Sequence, residues 1–145
     1  MSPDAGRVRR RLYLDTSAYL CILLGEDDSE PLSEETEGAE LLSSVLLVLE
    51  ARRTLIRLAR DGTLKPDQYA RCIERVDGDT AAFALRDLTL DLCASNLMPA
   101  VATPRSLDLA HLRTALWFNA SERLHRFVTM DASQRQAASE LGLPV

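Results

Sequence analysis

The sequence has 145 residues, of which 46% are apolar and 27% charged, and its formal net charge is −5. This composition is typical of one globular domain spanning residues 1–145, and the acidic charge argues against a protein that coats itself in nucleic acid. We expect a soluble, cytoplasmic protein with no membrane association, because no uncharged apolar run approaches the roughly 20 residues of a membrane span and the polar N-terminus does not resemble a secretory signal.

The first predicted elements are a strand and a helix that meet at Asp15. Residues 1–10 are expected to form a flexible basic terminus, and Arg11–Leu14 has the pattern of a short buried strand. Asp15 and the two hydroxyl residues after it provide a turn and a helix N-cap before the apolar residues 18–24. Asp15 is therefore predicted at the carboxyl end of a strand.

An acidic segment follows this helix, which Gly25 is predicted to end. Residues 25–40 contain eight acids and no base, and this segment outweighs the net charge of the whole chain. As far as residue 38 it is predicted to be a loop or a loosely held, mobile helical arm at the surface. Such a segment would repel a phosphate-bearing ligand if it lay beside a binding groove.

The middle of the sequence favours a pair of helices. Residues 40–44 are interpreted as the end of a short helix and residues 45–48 as a buried strand. Leu49 then starts a helix, opened by Glu50, that Asp61 and Gly62 end. A second helix starts at residues 65–67 and is predicted to break at residues 77–79, which gives a helical hairpin.

The arginines of the first of these helices are one possible phosphate-binding surface. Arginine outnumbers lysine sixteen to one in the chain, with clusters at residues 7–11 and 52–60. Guanidinium groups bind phosphate in a bidentate manner. A solvated helix face and a frayed basic terminus explain the same clusters equally well.

The last third of the sequence alternates strand and helix again. We predict a short strand over residues 82–88, a helix from Leu90 that Pro99 ends, and a loop over residues 103–106 with Ser106 as a helix cap. The next helix has Asp108 in its first turn. Three elements complete the chain: a strand over residues 124–130 ending at Asp131, a helix over residues 132–141 capped by Gly142, and a strand or tail over residues 143–145.

This alternation predicts an α/β fold with a central, mostly parallel sheet covered on both faces. Such sheets bind ligands at the carboxyl ends of their strands. Asp15 and Asp131 are both predicted at such ends.

Four acids stand out because each has apolar neighbours in the sequence: Asp15, Glu50, Asp108 and Asp131. Burying several unpaired carboxylates near one another is costly unless a cation compensates them. The pattern therefore predicts a divalent-metal site. For Asp108, however, stabilisation of the helix N-terminus is an equally good explanation.

The other potential ligands in the sequence limit which metal ion the site could bind. With only two histidines, a His-rich zinc site is excluded, and carboxylate oxygen favours Mg²⁺ or Mn²⁺. His111 and His125 are better explained by packing or surface exposure than by catalysis. The three cysteines are interpreted as small core residues rather than as disulfide or metal ligands. Carboxylates that hold such a cation against a phosphodiester are typical of a phosphodiesterase active site.

Five segments, in this order and nearly from end to end, resemble the PIN-domain ribonucleases and in particular the VapC-type toxins of bacterial toxin-antitoxin pairs. They are LYLDTSAYL (residues 12–20), VLLVLEAR (45–52), SLDLAHLRTAL (106–116), FVTMD (127–131) and LGLPV (141–145).

The resemblance implies a three-layer α/β/α sandwich, metal-dependent endonucleolytic cleavage of RNA, a homodimer, and a small cognate antitoxin that occupies the active-site groove. Asp15, Glu50, Asp108 and Asp131 fall on the acidic quartet of the family, and Thr129 on a hydroxyl residue that precedes the last acid. In that scheme Asp15 and Asp108 hold Mg²⁺ or Mn²⁺, while Glu50 and Asp131 position waters or a second metal.

One departure from the family pattern concerns phosphate binding. The family often has a basic residue directly after the last acid, whereas Ala132 follows Asp131 here, and Arg135 is the candidate substitute. For dimerisation, residues 41–42 and 69–73 are either surplus apolar surface or ordinary core.

Two rival functions are kept. An aspartate-dependent phosphohydrolase would carry a second aspartate two residues after Asp15, where this chain has Ser17. A catalytically inactive PIN-like binding module would keep the fold, and would keep the four acids only if metal stabilised it.

Overall fold

The computed structural model describes residues 8–96, 98–102 and 105–145. These residues form four strands and seven helices. In chain order they are β1 (Arg11–Leu14), α1 (Thr16–Leu24), α2 (Ser29–Thr36), β2 (Glu40–Ser44), α3 (Leu46–Arg60), α4 (Pro66–Ala81), β3 (Ala84–Arg86), α5 (Leu90–Ala94), α6 (Ser106–Ser121), β4 (Arg126–Val128) and α7 (Ala132–Glu140).

The four strands form one parallel sheet in the order β3-β2-β1-β4. Strand β1 is buried along its whole length, because it lies between β2 and β4 and has helices over both faces. Tyr13 pairs with Leu42 of β2 on one side and with Phe127 of β4 on the other. The predicted α/β class with a parallel central sheet is confirmed.

Alternation along β1 divides the core between the two faces of the sheet. Tyr13 points to one face, where it packs with Leu112 and Phe118 of α6 and with alanines of α7. Leu12 and Leu14 point to the other face, against α1 and α2. A third apolar cluster joins α1 to the α3–α4 pair, so the predicted helical hairpin is confirmed.

The region around β2 differs most from the prediction. Glu40–Ser44 is a strand rather than the end of a helix, and residues 45–48 begin α3 instead of forming a strand. Periodicity alone cannot separate a short apolar strand from a buried helix segment. A polar residue such as Ser43 does not predict a buried strand from sequence. In the structure Ser43 is fully buried, and its hydroxyl donates to the Leu14 carbonyl at 2.6 Å.

Several predicted boundaries move. Helix α4 runs through Gly78 to Ala81, α5 ends at Ala94, well before Pro99, and β4 covers only Arg126–Val128. Arg105, not Ser106, is the N-cap of α6, while Leu97, Thr103 and Pro104 lie outside the described residues. The terminal residues form no strand, although the Phe127 N–H donates to the Pro144 carbonyl at 2.7 Å.

The acidic segment contains helix α2 and is anchored at the amino end of the sheet. Leu32 is buried against β1, and Glu35 pairs with both Arg10 and Arg126. Of the predicted flexible terminus, residues 1–7 lie outside the described residues, and the Arg9 guanidinium donates to the Gly38 carbonyl. The segment therefore lies at the end of the sheet opposite to Asp15.

The structure bears on two groups of apolar residues. Leu42 is buried, and Leu41, Tyr69 and Ile73 are half-buried and pack against the core clusters, which favours the explanation as ordinary core. Cys21 is buried and Cys72 half-buried, but Cys93 is exposed and is not a core residue. Within the described residues, no helix combines the length and the apolar character needed to cross a membrane.

Candidate metal centre

The carboxyl ends of β1 and β4 bring the first group of site residues together. The Asp15 N–H donates to the Val128 carbonyl at 3.1 Å, which fixes the end of β1 beside the end of β4. Thr129 and Asp131 follow directly after β4, and Asp131 is the N-cap of α7. This part of the site is therefore built from two adjacent parallel strands.

Asp15 is buried and held by hydroxyl groups. Only 4% of its surface is exposed. Its Oδ1 accepts hydrogen bonds from the Ser17 hydroxyl at 2.6 Å and the Ala18 N–H at 3.1 Å, and its Oδ2 accepts one from the Thr129 hydroxyl. These donors fix the carboxylate without neutralising its charge.

Asp108 is brought to the same end of the sheet by Gln134. The Asp131 carboxylate accepts from the backbone N–H groups of Ser133 and Gln134 at 2.8 and 3.2 Å. The buried Gln134 side chain then donates to the Asp108 carbonyl at 2.9 Å. The first turns of α6 and α7, with one acid each, are thereby joined.

The pKa shifts indicate that these acids share one electrostatic environment. Burial raises the pKa of Asp15, against hydrogen bonds from Ser17 and Thr129 that lower it. The pKa of Asp108 is raised first by burial, then by the charge of Asp131, with a smaller contribution from Asp15. Like charges disfavour ionisation, so the charges of Asp131 and Asp15 act against the ionised form of Asp108, while the charge of Arg105 favours it.

Glu50 has different hydrogen-bond partners from the other three acids. It occupies the second turn of α3, so it does not open the helix as predicted. Its Oε1 accepts from the Thr16 hydroxyl and from Nε2 of His111, both at 2.9 Å. Burial alone would raise the pKa of Glu50, but the hydrogen bond and charge of His111 lower it overall.

His111 is the residue that sequence reasoning missed. It is 2% exposed, and its ring joins three elements through Tyr13, Thr16 and Glu50. One signal was present, since His111 follows Asp108 by three residues and so shares its helix face. His125 has only a structural contact, because its Nδ1 accepts from the Arg11 N–H at 2.9 Å.

Within the described parts of the chain, no three histidine, cysteine, aspartate or glutamate side chains come close enough to enclose a metal ion. The predicted quartet is thus not a preformed cage. The donor chemistry nevertheless fits a hard cation, because Mg²⁺ usually keeps several waters and takes only one or two carboxylates. Asp15 and Asp108, whose pKa values burial raises, are the pair that such a cation would stabilise most.

Three arginines surround the acids, each one helical turn from one of them. Arg53 follows Glu50, and its charge adds to the lowering of the Glu50 pKa by His111. Arg105 precedes Asp108, and its charge opposes the raising of the Asp108 pKa by burial and by Asp131. Arg135, the predicted substitute for a basic residue after Asp131, donates to the Thr129 carbonyl at 2.9 Å. All three are exposed, so positive charge borders the carboxylates without pairing with them.

Neither a protein-family model nor a curated protein sequence matches this chain.

Proposed function

We propose that this protein is a metal-dependent endoribonuclease, the toxin component of a VapC-type toxin-antitoxin pair. The observation that carries the proposal is the grouping of Asp15, Asp108 and Asp131 at the carboxyl end of the sheet, where the pKa values of the first two are raised. A site that concentrates negative charge favours a cation, and a cation on carboxylates suits phosphodiester hydrolysis.

In this proposal each acid has a role set by its surroundings. Asp15 and Asp108 hold Mg²⁺ or Mn²⁺, while Glu50 and Asp131 orient water around it. Thr129 keeps Asp15 in place. The metal, when bound, supplies charge stabilisation for the cleaved phosphodiester and makes water a better nucleophile. Arg53, Arg105 and Arg135 are positioned to contact RNA phosphates.

The partners belong to the same proposal: an RNA substrate, a small antitoxin, a second copy of the chain in a homodimer, and a cytoplasmic location. One feature supports a protein partner. Leu49 and Ile56, both on α3, are 67% and 57% exposed, and they are two helical turns apart, on the same side of the helix. Exposed apolar side chains in a row favour coverage by another protein.

The direct test is cleavage of end-labelled structured RNAs by purified protein with Mg²⁺, Mn²⁺ or EDTA. We expect cuts at discrete sites that require metal, and a rate loss of at least about 100-fold in Asp15→Asn and Asp108→Asn, because metal ligands contribute more than the outer-shell groups that support them. Asp67→Asn is the matched control, since it also removes an acid from the first turn of a 16-residue helix.

Other outcomes would point elsewhere. Equal cleavage by wild type and both site variants would mean that the activity is a contaminant or that the active site lies elsewhere. Metal binding without cleavage of any RNA would favour the inactive binding module. Release of free phosphate from small phosphoesters would favour the phosphohydrolase.

A further inference from the structure

A buried polar network connects Glu50 to the body of the protein through His111. The Nδ1 atom of His111 lies 2.8 Å from the Tyr13 hydroxyl, and Nε2 lies 2.9 Å from Oε1 of Glu50. The Thr16 hydroxyl is 2.9 Å from the same carboxylate oxygen and 3.2 Å from Nε2. Four elements, β1, α1, α3 and α6, therefore meet at one imidazole ring.

The hydrogen positions in this network follow from its partners. An ionised carboxylate only accepts hydrogen bonds, so Nε2 must carry a hydrogen to bond with Glu50. Nδ1 then bonds to the Tyr13 hydroxyl, as the acceptor in a neutral ring or as the donor in a charged one. Every polar atom of the ring is used, and the ring has one orientation.

The network forms hydrogen bonds with only one of the two carboxylate oxygens of Glu50. Oε1 accepts from both Thr16 and His111, whereas no hydrogen bond to Oε2 is found among the described residues. The Glu50 side chain is 23% exposed, so its second oxygen is available to water or a cation. Rotation of the carboxylate would break two partly buried hydrogen bonds at once.

The network also connects Glu50 to the segments that carry the other acids. Thr16 directly follows Asp15, and His111 lies one helical turn after Asp108. We infer that His111 is a positioning residue, which fixes Glu50 so that Oε2 faces the metal and water of the proposed site. This inference rests on the proposed function and does not require His111 to touch substrate.

A double-mutant cycle tests this role. His111→Leu is made in the wild type and in Glu50→Ala, and each protein is assayed for Mn²⁺ affinity by titration calorimetry without RNA, and for kcat and KM with RNA. Loss of an outer-shell partner typically costs 10- to 100-fold in metal affinity or activity. We expect about that loss of Mn²⁺ affinity and kcat in the wild type, with KM unchanged, and less than about a threefold further loss in Glu50→Ala.

A conservative variant separates positioning from packing. The amide of His111→Gln can donate to Glu50 from nearly the position of Nε2, so it is expected to recover most of the affinity and kcat that His111→Leu loses. If His111→Leu does not fold, the same cycle is run with Thr16→Val, which removes the other donor to Oε1. A merely structural role predicts equal losses in both backgrounds and no recovery by glutamine, and that result would overturn the inference.

The two proposals fail in different ways. Coupling between His111 and Glu50 in Mn²⁺ affinity, without cleavage of any RNA, would remove the nuclease proposal and keep the positioning role. RNA cleavage, together with equal losses of Mn²⁺ affinity from His111→Leu in the wild type and in Glu50→Ala, would keep the nuclease proposal and remove the positioning role. A wild-type protein that binds no Mn²⁺ would overturn both.

Discussion

The two ends of the parallel sheet carry charged residues in opposite arrangements. At the amino end, Arg11 is buried between Glu40 and Glu122, at 3.2 and 3.6 Å, and Glu35 is shared by Arg10 and Arg126. At the carboxyl end, the carboxylates of Asp15 and Asp131 accept hydrogen bonds from hydroxyl and backbone N–H groups, and within the described residues neither they nor Asp108 form a salt bridge. Acids are matched with arginine at one end and grouped with one another at the other.

This difference separates charges that serve the fold from charges that serve a ligand. The chain has sixteen arginines, so positive side chains were available to neutralise the carboxyl end. Leaving it acidic costs stability, as functional sites often do. The acidic segment lies at the amino end, so its charge is largely screened from the acids at the carboxyl end. Strand β1 has four residues and separates the two ends by roughly 13 Å, which exceeds a Debye length of about 8 Å at physiological salt.

The largest expected effect is stabilisation of the wild type by a divalent cation. A ligand present at about 100 times its dissociation constant adds about 2.7 kcal/mol to the free energy of unfolding, provided that it binds only the native state. We expect Mn²⁺ or Mg²⁺ to raise the melting temperature by several degrees, measured by calorimetry with and without EDTA.

The location of this stabilisation distinguishes the two ends. Asp15→Asn should lose most of the cation-dependent shift, whereas Glu35→Gln, at the amino end, should keep it. An equal shift in both variants would show that the cation binds elsewhere, and the carboxyl end would then need another explanation for its grouped acids.

A smaller effect is expected when an acid is removed from the amino end. Glu35→Gln deprives Arg10 and Arg126 of their shared carboxylate, whose side chain is only 16% exposed. We expect a loss of about 1 kcal/mol in the free energy of unfolding, the upper end for exposed pairs, since this pair is partly buried. Urea unfolding measures it, and Glu34→Gln is the control because Glu34 lies on the same helix, is exposed and has no ion pair in the described structure.

The positions of Asp15 and Asp131 at strand ends were predictable from the sequence, because local residue patterns determine where these strands end. Asp15 and Asp131 stand where a buried apolar run stops, and each caps the helix that follows it. Gly25 ends α1 with a positive φ of 62°, a conformation that glycine adopts without steric cost. These residues fix the strand ends, and the strand ends place two of the four predicted acids.

What the sequence could not indicate depends on contacts between distant segments. Ser43 and Ser44 look like surface residues, yet both are buried, and the Ser43 hydroxyl donates to the neighbouring strand. The sequence pattern therefore predicts this strand at residues 45–48 instead of at β2. The role of His111 requires Tyr13 and Glu50, which are 98 and 61 residues away in the chain. No local pattern marks such a contact.

The smallest expected effect has the opposite sign to that of Glu35→Gln. Burial, and then the charge of Asp131, raises the pKa of Asp108, so its ionised form destabilises the native state. Asp108→Asn should therefore raise the free energy of unfolding of the metal-free protein at pH 7, by about 0.5 kcal/mol because solvent screens partly exposed charges. Asp67→Asn, which also removes an acid from a first helical turn and breaks an ion pair with Arg71, should instead lower it by a similar amount.

The pH dependence gives this prediction a second test. Because the pKa of Asp108 is higher in the native than in the unfolded state, the native protein binds more protons between the two values, and its stability falls as the pH rises through that window. The advantage of Asp108→Asn should therefore be full above the raised native pKa and vanish below the ordinary carboxyl pKa. Saturating Mn²⁺ should reverse the order at pH 7, since the cation stabilises only the aspartate. An asparagine variant that is less stable than wild type without metal at pH 7 would mean that Asp108 serves the fold, as the acids at the amino end do.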